Sequence, residues 1–136
     1  MPYPSREEIQ DLCSSLGTAD ASPFFNRVAP DVVWDVMGTS QISGRYTSLD
    51  DWKKGAYNVA QGFVKEHLTL TVVNVVGGAQ EWAVVELEAD AVCKNGMKYP
   101  QRYAWVMRFN ESGIIVQVRA YLDSLLLENA ITSNAS

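Results

Sequence analysis

Tyr99-Pro-Gln-Arg-Tyr-Ala-Trp-Val-Met-Arg-Phe109, Asn110-Glu-Ser-Gly113 and Ile114-Ile-Val-Gln-Val-Arg-Ala-Tyr-Leu-Asp123 form the stretch that decides the fold. Two runs rich in aromatic and β-branched residues flank four residues of turn chemistry, which is how an antiparallel hairpin reads. Side chains alternate between faces along a strand. Tyr103, Trp105 and Met107 therefore share one face, opposite Arg102, Ala104 and Arg108. Val118, Ala120 and Leu122 likewise oppose Arg119, Tyr121 and Asp123. Upstream, residues 68–76 and 81–93 are two further β-rich runs, and Gly77-Gly78 and Lys94-Asn95-Gly96 supply the turns. Residues 32–37 and 41–46, separated by Gly38-Thr-Ser40, predict one more hairpin.

The first third of the chain is helical. Ser5 and Glu8 fit a capping box, and Ile9, Leu12, Cys13 and Leu16 then recur at helical spacing up to Gly17. Ser22-Pro23 opens a short helix through Phe24, Phe25 and Val28. A third helix starts at Ser48, with Asp50 and Asp51 in its first turn and an apolar stripe of Leu49, Trp52, Ala56, Val59, Ala60 and Phe63. Helices followed by a meander of strands predict an α+β domain, with the helices gathered on one face of an antiparallel sheet. The last residues, 131–136, read as frayed.

At 136 residues the chain fits a single domain, residues 1–136, large enough for a core and an internal pocket. With 47% apolar and 20% charged residues it is neither disordered nor membrane-spanning. A net charge of −5 repels phosphate backbones, which argues against nucleic acid as a partner. Two distant cysteines and one histidine, His67, give no disulfide framework and no metal site. The polar N-terminus resembles no signal peptide, so a cytoplasmic protein is expected.

Polar residues projecting into a pocket would define any activity. In residues 85–93, Glu86, Glu88 and Asp90 share one face and Leu87, Ala89, Ala91 and Cys93 the other. Alternation leaves two readings open, a solvated acidic face or acids turned into a pocket. Asp35 lies between Trp34 and Val36 within an apolar strand, as a surface residue or a buried acid. His67 follows Lys65-Glu66, where a surface histidine is the simpler reading. Trp52 reads as core, and Tyr57 as either a packing residue or a ligand contact.

Asp31-Val-Val-Trp-Asp-Val-Met-Gly38, Ile42-Ser-Gly-Arg45 and the closing strands, from Asn95-Gly-Met-Lys-Tyr99 to Arg119-Ala-Tyr-Leu-Asp123, resemble the nuclear-transport-factor-2-like superfamily. The similarity is to its branch of SnoaL-like polyketide cyclases, ketosteroid isomerases and limonene epoxide hydrolases. The resemblance implies a cone: a curved antiparallel sheet wrapped around three helices and enclosing a pocket, usually dimerising through the outer sheet face. Leu87, Ala89 and Ala91 would then be interface candidates. Counting back from Gly44, Asp35 falls at the proton-shuttling carboxylate of the isomerases, whereas Trp105 stands at their oxyanion-hole acid. Asp123 matches a catalytic carboxylate of the closing strand. Glu88-Ala-Asp90 keeps the aspartate but lacks the arginine of the hydrolases' Arg-x-Asp segment. The isomerase phasing turns Val118, Ala120 and Leu122, and also Asp90 and Glu88, inward; the hydrolase analogy needs Asp123 inside, which a bulge near Tyr121 would allow.

The expectation is a small cofactor-independent acid/base enzyme, an isomerase, cyclase, dehydratase or rearrangement catalyst, acting on an apolar polycyclic metabolite in secondary metabolism. Asp35, Asp123 and Asp90 are the acid/base candidates, since burial and pairing separate carboxyl groups into acid and base roles. Trp34, Tyr57, His67, Glu88, Tyr103, Trp105, Met107 and Val118 are the substrate-binding candidates. The alternative is a non-catalytic binding or assembly domain of the same fold. Convergence of the carboxylates in one pocket separates the two.

Overall fold

The computed structural model describes residues 3–135. Helix α1 (Arg6–Ser14) starts where the capping box predicts: Glu8 N donates to Ser5 Oγ at 3.1 Å and Ser5 N to Glu8 Oε1 at 3.3 Å. It buries Ile9, Leu12 and Cys13. A 3-10 turn (Ser15–Gly17) and α2 (Ser22–Phe25), with Pro23 in its first turn, lead into β1 (Val28–Val36) and β2 (Gly44–Tyr46). Ser48 Oγ, accepting from Asp51 N at 3.0 Å, caps α3 (Leu49–Trp52). A π-helical turn (Lys53–Tyr57) interrupts the predicted third helix before α4 (Asn58–Phe63).

The strands β3 (Thr71–Gly77), β4 (Trp82–Glu88), β7 (Arg102–Phe109) and β8 (Ile115–Leu122) join β1 and β2 in a six-stranded sheet of order β2-β1-β8-β7-β4-β3. The short strands β5 (Ala91–Val92) and β6 (Lys98–Tyr99) form a separate ladder. Hairpin turns make neighbouring strands antiparallel, as expected, with one correction: β1 and β8 run parallel. They come from opposite ends of the chain, so no hairpin dictates their direction. The β3–β4 turn is fixed against α1. Gly78 has φ +127°, and a Cβ there would lie 2.5 Å from Arg6 N.

One face of the sheet packs on the helices. Trp34, Val36, Val75, Ala83, Val85, Leu87, Trp105, Met107, Val118 and Ala120 point there and are buried. This phase settles the acidic run. Leu87 and Ala89 are core residues at 1% exposure, and Ala91 is half-buried, so they form no outer interface. Glu86 and Glu88 occupy the outer face, where Glu88 meets Arg102 at 3.5 Å. The solvated reading of these acids holds, and the inward one is corrected.

A second correction concerns the C-terminus. Residues 124–133 form α5 (Ser124–Ser133), a helix that the sequence reading did not contain. Asp123 caps it, Leu127 and Ala130 bury its inner stripe, and Asn134 Oδ1 accepts from Asn95 N at 2.9 Å. No helix among the described residues is long and apolar enough to cross a membrane.

Candidate functional site

Between the sheet and the helices lies a cavity of about 70 Å³. Trp34 and Val36 of β1, Tyr103 and Trp105 of β7 and Ala120 and Leu122 of β8 form its sheet wall. Trp52, Ala56, Tyr57 and Ala60 form the helical wall, and Ile42, Leu68, Leu70, Tyr99 and Leu127 complete it. None of these residues carries a charge. The walls are dominated by aromatic contacts. Trp34 and Trp52 stack with centroids 3.8 Å apart and an interplanar angle of 20°, and Trp105 meets Trp34 edge-on at 5.2 Å.

The π-helical turn accounts for one of these contacts. In an α-helix, residues five apart differ by about 140° around the axis. A π-turn bonds i to i+5, and it brings Trp52 and Tyr57 together with centroids 5.4 Å apart. The turn also needs Gly55, because a Cβ at that position would lie 2.5 Å from the Tyr46 ring, whose hydroxyl donates to Ile42 O at 2.7 Å.

The polar groups at this cavity are phenols and indoles. Burial pushes the Tyr99 phenol up to about 12, and Gln101 Nε2 donates to its oxygen at 3.1 Å. Tyr103 is held well above its ordinary value, by burial first and then by the neighbouring Tyr99. Tyr57 is raised too, again by burial. All three are neutral hydrogen-bond donors at physiological pH. Gln101 is fully buried and fully satisfied: Nε2 also donates to Asp123 O at 3.0 Å, while Oε1 accepts from Asp123 N at 2.8 Å and Arg102 N at 3.0 Å. One amide thus ties the start of β7 to the end of β8 and orients Tyr99.

Of the binding candidates, Trp34, Tyr57, Tyr103 and Trp105 line the cavity. Met107 and Val118 are buried in the core of the same face, outside the cavity wall. Glu88 is on the outer face, and His67 is exposed in a separate surface groove that also contains Asp90. The acid/base candidates do not converge. Asp35 lies on the outer face, where Arg45 Nε and Nη2 donate to its two oxygens at 2.8 and 3.1 Å. Asp123 is exposed, and its Oδ1 accepts from Leu126 N at 3.0 Å as the cap of α5. The register from Ala104–Tyr121 to Tyr103–Leu122 is regular, so no bulge turns Asp123 inward; Ala120 and Leu122 face the cavity. Among the described residues, no group of three His, Cys, Asp or Glu side chains is placed to hold a metal ion.

The sequence reading missed Tyr99 and Gln101. Their signal is faint: the sequence reads Tyr99 to Phe109 as one strand, whereas the chain breaks at Pro100 between β6 and β7, and the hydrogen bonds of Gln101 to Asp123 at the end of β8 hold it as a buried residue.

A sheet curled around helices, with an aromatic cavity inside, has the nuclear-transport-factor-2-like, ketosteroid-isomerase-like fold. No family model matches the chain. The dimerizing cyclase phiC of Fungal sp. (strain ATCC 74256) is 26% identical over 141 residues, covering 98% of this chain and 62% of the relative. The chain therefore spans about three-fifths of the length of that relative. A nuclear-transport-factor-2-like protein from Burkholderia thailandensis matches with a TM-score of 0.71 at 19% identity, covering 90% of this chain and 95% of its own. TerC, co-crystallized with polyporic acid, matches with a TM-score of 0.72 at 16% identity, covering 94% of this chain and 99% of its own. At such identities the structures share the fold.

Proposed function

We propose that this chain is a small cyclase or isomerase that holds an apolar, unsaturated metabolite inside the cone and hydrogen-bonds its carbonyl oxygen through neutral phenols. The observation that carries this reading is an aromatic cavity whose polar groups are uncharged donors. Apolar walls fold a flexible substrate into a reactive geometry. Donors aimed at an oxygen that gains negative charge stabilise the transition state. Tyr103 is the leading donor, with Tyr57 second. A ring closure that draws its electrons from the substrate's own double bonds suits this cavity better than a proton shuttle, because Asp35, Asp90 and Asp123 lie outside it. The similarity to a dimerizing cyclase supports a ring-closing reaction, and we place it in secondary metabolism.

We further propose a single domain over residues 1–136, working as a homodimer through the outer sheet face, where Val76, Val84, Val106 and Tyr121 lie. Val76 and Tyr121 are 52% and 44% exposed, and they share this face with Val84 and Val106 as an apolar patch of the kind that supports an interface. The two free, buried thiols, Cys13 and Cys93, suit a reducing cytoplasm. The second reading is a non-catalytic binding domain, favoured by the absence of a carboxylate from the described cavity wall.

The test is conversion of a panel of linear and cyclic unsaturated ketones, followed by mass spectrometry. Ala120→Phe, which fills the cavity, should abolish conversion, and Tyr103→Phe should lower it about 100-fold, the scale of one oxyanion donor. Asp35→Asn and Asp123→Asn should leave it within about threefold. A 100-fold loss in either Asn variant at retained stability would restore a carboxylate mechanism. Ligand binding without conversion would favour the second reading.

A further inference from the structure

Gln101 is fully buried, and its amide uses all four of its hydrogen-bonding sites. The backbone forces its orientation. Asp123 N at 2.8 Å and Arg102 N at 3.0 Å are donors, so the end that faces them is the oxygen. Reversing the amide would set its NH2 group against two N–H groups and its oxygen against Asp123 O. The NH2 end therefore faces Tyr99 Oη at 3.1 Å and Asp123 O at 3.0 Å.

That orientation fixes a second proton. An amide NH2 group has no acceptor site, so Tyr99 cannot donate to Gln101, and its oxygen only accepts there. Tyr99 is 1% exposed and lines the cavity, so its own hydroxyl proton has no bulk water to turn to. A buried donor left unpaired is costly. Tyr103 stands in the same cavity wall, close enough that each phenol shifts the other's titration.

We infer that Gln101 is a positioning residue that sets the direction of a donor chain. Gln101 Nε2–H donates to Tyr99 Oη, Tyr99 O–H donates to Tyr103 Oη, and Tyr103 O–H is left to donate to the ligand. Every proton in the chain points the same way. Each bond polarises the next, so an amide that never touches the ligand strengthens the donor that does. The catalytic use of this chain rests on Tyr103 being the donor proposed above, whereas its direction rests on the bonds of Gln101.

The experiment labels the tyrosine ζ carbons of the full chain with carbon-13 and follows Tyr103 without any ligand. A phenol ζ carbon moves downfield when its O–H donates, toward its phenolate position, and upfield when its oxygen accepts. Tyr99→Phe removes one hydroxyl and keeps every backbone bond of Gln101. It should move Tyr103 downfield, because an accepted bond is lost. Gln101→Met should move it the same way by less, and should add nothing once Tyr99→Phe is in place. Equal movement in both backgrounds would make Gln101 merely structural and overturn the inference. An upfield or absent response to Tyr99→Phe would overturn it too, and this variant alone decides if Gln101→Met does not fold. In conversion of the ketone panel, Tyr99→Phe should lower kcat about threefold to tenfold, the scale of one hydrogen bond, with KM within about twofold. It should cost nothing further in the Tyr103→Phe background; an equal loss there would sink the chain. If Tyr103→Phe keeps wild-type conversion, or no ketone is converted, the donor proposed above falls, and the Tyr103 resonance still decides the direction.

Discussion

The two faces of one sheet differ more than any two elements of this molecule. On β1, Trp34 is sealed inside while its neighbour Asp35 is paired with Arg45 on the outside. On β8, Ala120 lines the cavity while Arg119 lies over the outer Trp82 ring at 4.8 Å. The inner face concentrates aromatic surface and neutral donors; the outer face disposes of nearly every charge the strands carry. What this teaches is that the chemistry of the cone is set by one residue of phase, since a slip of one position would exchange the two inventories.

The largest blow to the inner face is Trp34→Ala, which removes a buried stacking partner and should destabilise by about 3–5 kcal/mol in denaturant unfolding. Asp35→Asn, one position along but on the outer face, should cost less, about 1–2 kcal/mol, because Arg45 is 64% exposed although the Asp35 carboxylate that it holds in two hydrogen bonds is only 14% exposed. A reversal of these two values would break the comparison outright. Next in size is Gln101→Leu. It preserves volume but strands the Asp123 and Arg102 backbone groups, and should cost about 2–3 kcal/mol.

A smaller, graded effect comes from pH. Tyr99 titrates at about 12 in the folded protein and at its ordinary 10.0 once unfolded. Between these values the folded state holds a proton that the unfolded state has lost. Its contribution to stability is complete below pH 10 and disappears as pH rises toward 12, at about 1.4 kcal/mol per pH unit. Unfolding curves at pH 9, 10 and 11 check this, and Tyr99→Phe should remove that part of the slope. Smallest in folding energy is Val84→Asp on the outer face, expected to change stability by less than about 0.5 kcal/mol while converting a dimer to monomer in light scattering. An unchanged mass would move the interface elsewhere.

Most of the fold was legible because it is written in local signals. The capping box at Ser5, the Ser48 cap and the turns after Val76 and Phe109 each act within a few residues, and each appears where the sequence points. The phase of β8 stays open in the sequence between Val118, Ala120 and Leu122 inward and Asp123 inward, and the structure turns the first three to the inner face. The phase of β4 is open too, because alternation is symmetric: it says which residues share a face, and nothing about which face meets the helices. Helix α5 was hidden because Asp123 ends a strand and caps a helix at once, so the strand reading absorbed the helix's start signal. The placement of Asp35, Asp90 and Asp123 outside the cavity escaped for a related reason. Residue type at a matched position carries no information about side-chain direction, which here is set by Arg45 and the Leu126 amide of α5.

The π-turn between Lys53 and Tyr57 is in effect a removable spacer. Deleting one residue within it would let the segment close to an ordinary helix, with Tyr57 four residues from Trp52 and about 40° around the axis, on the same face. The turn thus absorbs one residue without moving what lies beyond it, so this wall can gain or lose a residue here while the Trp52–Tyr57 contact survives.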